Sequence, residues 1–227
     1  MTASEAQTHN VVALWPKNEG IIVVLPMTNK QKNTDKIELA KGDALVIIDI
    51  QNDFLPGGSL AVPEGDQVIP VLNGYIDQFI ERQLPVLATR DWHPSNHCSF
   101  IQQGGPWPEH CIAGTRGAEF ASDLHLPASV NVFSKATDAD QDSYSDFANP
   151  TFKKQLDNME VRRLFIGGLA TDYCVLSTVR DALNYHYKVL LLIDAIRAIN
   201  VRQQDGENAI NEMIQKGAMP ITLGMIR

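Results

Sequence analysis

Residues Ala44-Leu45-Val46-Ile47-Ile48-Asp49-Ile50 form an apolar run broken only by one acid near its close. Unbroken apolar runs of this length suit a strand covered on both faces, as in a parallel sheet, since alternation is needed only where one face meets water. Leu55-Pro56-Gly57-Gly58 then marks a loop. Across 66–83 the apolar side chains fall at Val68, Ile69, Val71, Leu72, Tyr75, Ile76, Phe79 and Ile80. That is one face of a helix, with Asp66 as its candidate N-cap. Val86-Leu87-Ala88-Thr89 reads as a second strand. A strand, a helix and a strand in succession open a βαβ series.

Working outward, residues 91–127 are rich in Gly, Pro, His and Trp and show no periodicity. A loop this long inside a compact domain is usually functional, and its aromatic and His content points the same way. The alternation then resumes: strand 130–133, helix 149–159, strand 163–168, helix 172–187, strand 188–193, a helix near 204–216 and a last strand at 219–223. The pattern predicts a single α/β domain over 41–227, an open, mostly parallel β-sheet sandwiched by helices in three layers. Residues 1–40 stand before it as an N-terminal extension, where the apolar run 21–25 could add a strand or hairpin.

The chain has 227 residues, 44% of them hydrophobic and 20% charged, the balance of a globular protein with a full core. Its formal net charge is -8, and no Lys/Arg cluster could track a phosphate backbone, so nucleic acid is not an expected partner. The first twenty residues lack a basic segment followed by an apolar run, so no secretory signal is expected. No apolar stretch approaches the ~20 residues that cross a bilayer. Cys98, Cys111 and Cys174 are an odd set, which favours reduced thiols and a cytoplasmic setting over a disulfide scaffold.

In open parallel sheets ligands gather at the carboxyl ends of the strands. Asp49, Asp91, Lys135 and the 167–174 turn all lie there. Cys174 falls in the first turn of a helix, where free N–H groups would favour a thiolate and could hold an oxyanion; a small side chain packing a helix start reads the same way in sequence. Asp49 ends a buried strand, which is costly without a partner or a task, and could carry the thiol proton or cap a loop. Lys135 could balance both or simply be solvated. Asp91, His93, His97 and His110 supply the donors of a Zn²⁺, Fe²⁺ or Mn²⁺ site, or of loop histidines bonded to backbone.

Read together, several segments resemble the nicotinamidase branch of the isochorismatase-like cysteine hydrolases. They are Asp49-Ile50-Gln51-Asn52-Asp53-Phe54 with Gly57-Gly58-Ser59-Leu60, Thr89-Arg90-Asp91-Trp92-His93-Pro94, and Trp107-Pro108-Glu109-His110-Cys111. Ser134-Lys135, Tyr144-Ser145-Asp146-Phe147 and Gly168-Leu169-Ala170-Thr171-Asp172-Tyr173-Cys174-Val175 complete the series in the family's order. Tyr173 stands where some members place His. The resemblance implies a catalytic triad of Asp49, Lys135 and Cys174, and an oxyanion hole from the N–H groups of Ala170 and Cys174 beside a cis Leu169–Ala170 bond. It implies one divalent metal ion, zinc first among the choices, on Asp91, His93 and His110, with His97 a fourth ligand or a neighbour. Phe54, Trp107, Tyr144 and Tyr173 match positions around a pyridine ring.

The activity so implied is hydrolysis of nicotinamide to nicotinate and ammonia through a cysteine thioester, with pyrazinamide as an analogue substrate and a homo-oligomer as a compatible assembly. Two rivals share parts of the pattern. An amidohydrolase for carbamoyl or ureido substrates would keep the triad without needing the Asp91/His93/His110 cluster. A non-catalytic binding protein on the same fold should have lost a triad member, and here all three positions are filled.

Overall fold

The computed structural model describes residues 36–227. The expectation for 21–25 lies outside them. Ten regular elements follow one another: β1 (Asp43–Ile48), α1 (Val68–Glu81), β2 (Val86–Asp91), β3 (Asn131–Lys135), α2 (Pro150–Asn158), β4 (Arg163–Leu169), α3 (Leu176–Asn184), β5 (Lys188–Arg197), α4 (Asp205–Gln215) and β6 (Met219–Ile221). The strands form one sheet in the order β3-β2-β1-β4-β5-β6, and every pairing is parallel. β1 and β4 are therefore the central pair, where the strand order reverses.

β1 is buried along its whole length, as its unbroken apolar sequence requires. Successive side chains point to opposite faces, so one run feeds two cores. Ala44, Val46 and Ile48 join α2, α3 and α4 through Phe152, Leu156, Val179 and Met213. Leu45 and Ile47 pack with α1 through Leu72, Tyr75, Ile76 and Phe79. The second face has only one helix, and the long loop completes its cover with Ala118, Ala121 and Leu124. Among the described residues no helix is long and apolar enough to cross a membrane.

Three local expectations change. Asp66 does not cap α1: it sits in a 3-10 turn, Gly65–Gln67, that leads into the helix, whose N-cap is Gln67 without a side-chain bond. The helix expected from 172 opens instead with a π-helical turn, Thr171–Val175, before α3 begins. β5 runs four residues past its expected end, to Arg197. α2 starts as its sequence suggests, with Asn149 accepting a bond from the Thr151 N–H and Pro150 at the first position, where its missing N–H costs nothing. Ile37 pairs with Ile226, tying the start of the described chain to its end.

Candidate active site

The carboxyl ends of β1, β2, β3 and β4 bring distant residues together. β2 and β3 pair so that Asp91 lies opposite Lys135. Asp49 follows β1 in the left-handed backbone region, at φ 53°, a conformation Asp tolerates better than most residues. The turn swings its carboxylate under the sheet end, fully buried. Cys174 arrives from β4 through the π-turn. Its Sγ, an Asp49 oxygen and an Asp91 oxygen all lie within 4.8 Å of one another. The crossing of β4 past β1 depends on Gly168, at φ 131°: a Cβ there would sit 2.1 Å from the Ile48 carbonyl oxygen. The Leu169–Ala170 peptide bond is cis.

Lys135 is the charge at the centre. Its buried ammonium donates to Asp49, lies 3.1 Å from Asp91 Oδ1 and 3.6 Å from Asp146 Oδ1. Thr89 Oγ1 donates to the other Asp49 oxygen at 3.0 Å. Burial alone would discharge Lys135, but Asp49 and then Asp91 hold it charged, well above the ordinary lysine value. Burial raises Asp49, with Lys135 pulling the other way. At Asp91 burial is outweighed by Lys135 and the neighbouring histidines, which keep its carboxyl well below the usual range. Burial also pushes the Cys174 thiol well up despite Lys135. The thiolate expected from the helix start alone is thus replaced by a thiol beside a basic carboxylate.

Asp91, His93 and His110 present one ligand atom each within 4.8 Å of one another, all buried. The rings are aimed by backbone: His93 Nδ1 meets the Ala136 carbonyl at 3.1 Å, and His110 Nδ1 meets the Pro108 carbonyl at 2.8 Å. A Nδ1–H donated to a carbonyl leaves the lone pair on Nε2, the arrangement that metal-binding histidines use. Among the described residues His93 Nε2 is buried with no hydrogen-bond partner, a cost that a cation would remove. The residues fit a divalent metal. His97 stacks 4.2 Å from the His93 ring, but its nitrogens meet Ser99 Oγ at 2.7 Å and the Gln141 carbonyl at 3.3 Å, so it stands beside the trio rather than in it.

A narrow cavity opens onto Cys174, Asp91 and His110. Phe54, Trp107, Tyr144 and Tyr173 all line it, with Ala170 at its floor. Trp107 Nε1 donates to the Tyr144 hydroxyl at 3.0 Å, and the Trp107 and Tyr173 rings meet edge to face at 5.0 Å. The cavity's aromatic walls are the kind of surface that stacks on a planar ring. Sequence reading missed Leu60 and Ile199, which also line it. It missed Gln51 as well, whose buried amide clamps the end of β2 by donating to the Asp91 carbonyl and accepting from the Asp91 N–H, each at 2.8 Å. Gln51 lay within the quoted Asp49–Phe54 segment, so a buried amide two residues past the acid was the available signal. Cys98 and Cys111 are free thiols, and neither belongs to the clustered donor groups.

Comparison with known proteins gives a consistent picture. Residues 43–224 match the family model described as an isochorismatase domain. A nicotinamidase of Escherichia coli (strain K12) is 40% identical over 201 residues, covering 79% of this chain and 94% of that protein. The crystal structure of a pyrazinamidase of Pyrococcus horikoshii in complex with zinc matches with a TM-score of 0.77 and 45% identity, over 80% of this chain and 99% of that one. PnC1 from L. infantum, in complex with nicotinate, matches with a TM-score of 0.79 and 34% identity, over 85% and 98% respectively.

Proposed function

The chain belongs to the isochorismatase-domain family, and from that premise we propose that it hydrolyses nicotinamide to nicotinate and ammonia. The observation that carries this reading is a meeting: Cys174, Asp49 and Lys135 lie against the Asp91/His93/His110 trio at the mouth of a slot walled by aromatic side chains. Carbamoyl or ureido substrates would use the first three residues but leave the trio and the aromatic walls without a task.

Cys174 is the nucleophile. With its thiol kept protonated by burial, attack on the carboxamide carbon is coupled to transfer of the thiol proton to Asp49, whose own raised value suits it to accept. The Ala170 and Cys174 N–H groups donate to the developing oxyanion. Asp49 returns the proton to the departing amine, and ammonia leaves a nicotinoyl thioester. A water then attacks that thioester with Asp49 again as base, freeing nicotinate and the thiol. Lys135 stays charged throughout and balances the negative charge that builds on sulfur, carboxylate and oxygen. Asp91, His93 and His110 would hold a divalent ion, zinc in our proposal, which supplies a Lewis-acid anchor for the pyridine nitrogen. Phe54, Trp107, Tyr144 and Tyr173 stack and exclude water around the ring.

The test is ammonia release by the metal-loaded protein from nicotinamide and pyrazinamide beside a panel of carbamoyl and ureido compounds. The reading expects kcat/KM highest for nicotinamide or its pyrazine analogue. Preference for a ureido compound would transfer the chain to the rival amidohydrolases.

A further inference from the structure

Two buried acids stand outside the mechanism, and one of them, Asp43, is already paired with Arg163. Asp146 opens a short turn, Asp146–Ala148, and is 1% exposed. Among the described residues, neither of its carboxylate oxygens has a hydrogen-bond partner by ordinary geometry. A buried, unsatisfied carboxylate costs several kcal/mol in general, so a purely structural position should have shed it. Its backbone is pinned from the nucleophile's own helix: the Asp146 N–H donates to Thr178 Oγ1 at 3.1 Å, and the preceding Ser145 hydroxyl donates to Asp181 at 2.6 Å. Held this way, the side chain faces one cation, Lys135, at 3.6 Å.

An ammonium has three N–H donors and no acceptor. Among the described residues three carboxylates pair with Lys135 Nζ: Asp49 in contact, Asp91 at 3.1 Å and Asp146 at 3.6 Å. We propose that Asp146 is a positioning residue that attracts the Lys135 ammonium by charge across 3.6 Å, holding it between Asp49 and Asp91 and limiting how strongly it grips Asp49. The consequence follows from charge sharing. An ammonium committed to Asp49 alone would suppress that carboxylate as a base, while one drawn toward three acids leaves Asp49 able to take the thiol proton. The turn also links Lys135 mechanically to α3, the helix that Cys174 leads into. Burial pushes Asp146 up to about 7, and Lys135 is the largest influence opposing that rise.

The inference rests on the amidase reading for its kinetic part, and the experiment separates the two. Asp146→Asn keeps the shape and removes the charge. On the full metal-loaded chain, ammonia release from nicotinamide should show kcat lowered on the order of tenfold to a hundredfold, the scale of a displaced catalytic group, with KM nearly unchanged. KM should hold because Asp146 does not line the ring cavity. A second measurement needs no turnover: the shift in urea midpoint caused by Asp146→Asn, taken with Lys135 present and in a Lys135→Met background. Losing the carboxylate should be more favourable once its cation is gone, so the shift should be more positive in the Met background; Lys135→Gln serves if the Met variant does not fold. Equal shifts in the two backgrounds overturn the pairing. Unequal shifts with kcat within twofold of the parent overturn the positioning role. A parent chain that releases no ammonia from nicotinamide sinks the amidase reading, and the midpoint cycle still decides whether Asp146 holds Lys135.

Discussion

One ammonium, Lys135 Nζ, is surrounded by three buried carboxylates, and the site's chemistry depends on how its charge is divided among them. Asp91, nearest the histidines, is held ionised, whereas Asp49 and Asp146 are raised by burial. A pH consequence follows for Asp146. Its folded value of about 7 lies above the 3.8 of an exposed carboxyl, so the folded state binds more protons between the two. Stability from this group is therefore fully present below 3.8 and is lost as pH rises through about 7. In chelator-treated protein, the urea midpoint of the parent should fall relative to Asp146→Asn as pH is raised across that window. A parent midpoint that holds level or rises relative to Asp146→Asn across that window contradicts the assignment. Asp49, Lys135 and Cys174 could be singled out in the sequence because each stands at a predicted strand end or helix start, where an ionisable or nucleophilic side chain needs a reason. Asp146 stands in a loop with no periodicity around it, and only the folded chain reveals which cation it faces.

The elements were legible where one physical signal ruled. β1 and α1 follow from an unbroken apolar run and a helical apolar stripe. The π-turn was not, because a slip of the backbone hydrogen-bond pattern leaves the apolar spacing of the following helix unchanged. Nor was the role of Gly168, which depends on a carbonyl 120 residues earlier. Its φ of 131° and the 2.1 Å approach to Ile48 oxygen make a concrete expectation. Gly168→Ala should cost on the order of 3 kcal/mol or more, by forcing β1 and β4 apart and adding backbone strain. Because that pair carries both Asp49 and Cys174, activity should fall further than the stability loss alone explains. A Gly168→Ala protein with parental urea midpoint and kcat would show that the close crossing is not needed.

Across the whole molecule, the sheet's reversal between β1 and β4 explains why residues from 49 to 174 converge, and parallel topology could be read from the alternation of runs and stripes. What could not be read is which loop residues close the slot. Leu60 and Ile199 reach it from opposite ends of the chain, and no local pattern marks either. The metal trio couples the site to global stability. An ion that binds only the folded chain stabilises it by about 2.7 kcal/mol at a hundredfold excess over its Kd. Adding zinc to chelator-treated protein should raise the melting temperature, and His110→Ala should remove most of that rise while His97→Ala removes little. Equal losses from the two variants would place His97 among the ligands. The central claim is that Cys174 forms a covalent link to the substrate inside this cleft, and acid quench of the metal-loaded chain during nicotinamide turnover, followed by peptide mass mapping, tests it most directly. A nicotinoyl group on the Cys174 peptide, absent from Cys174→Ala, which should be inactive, is the predicted result; ammonia release at a near-parental rate by Cys174→Ala would contradict it.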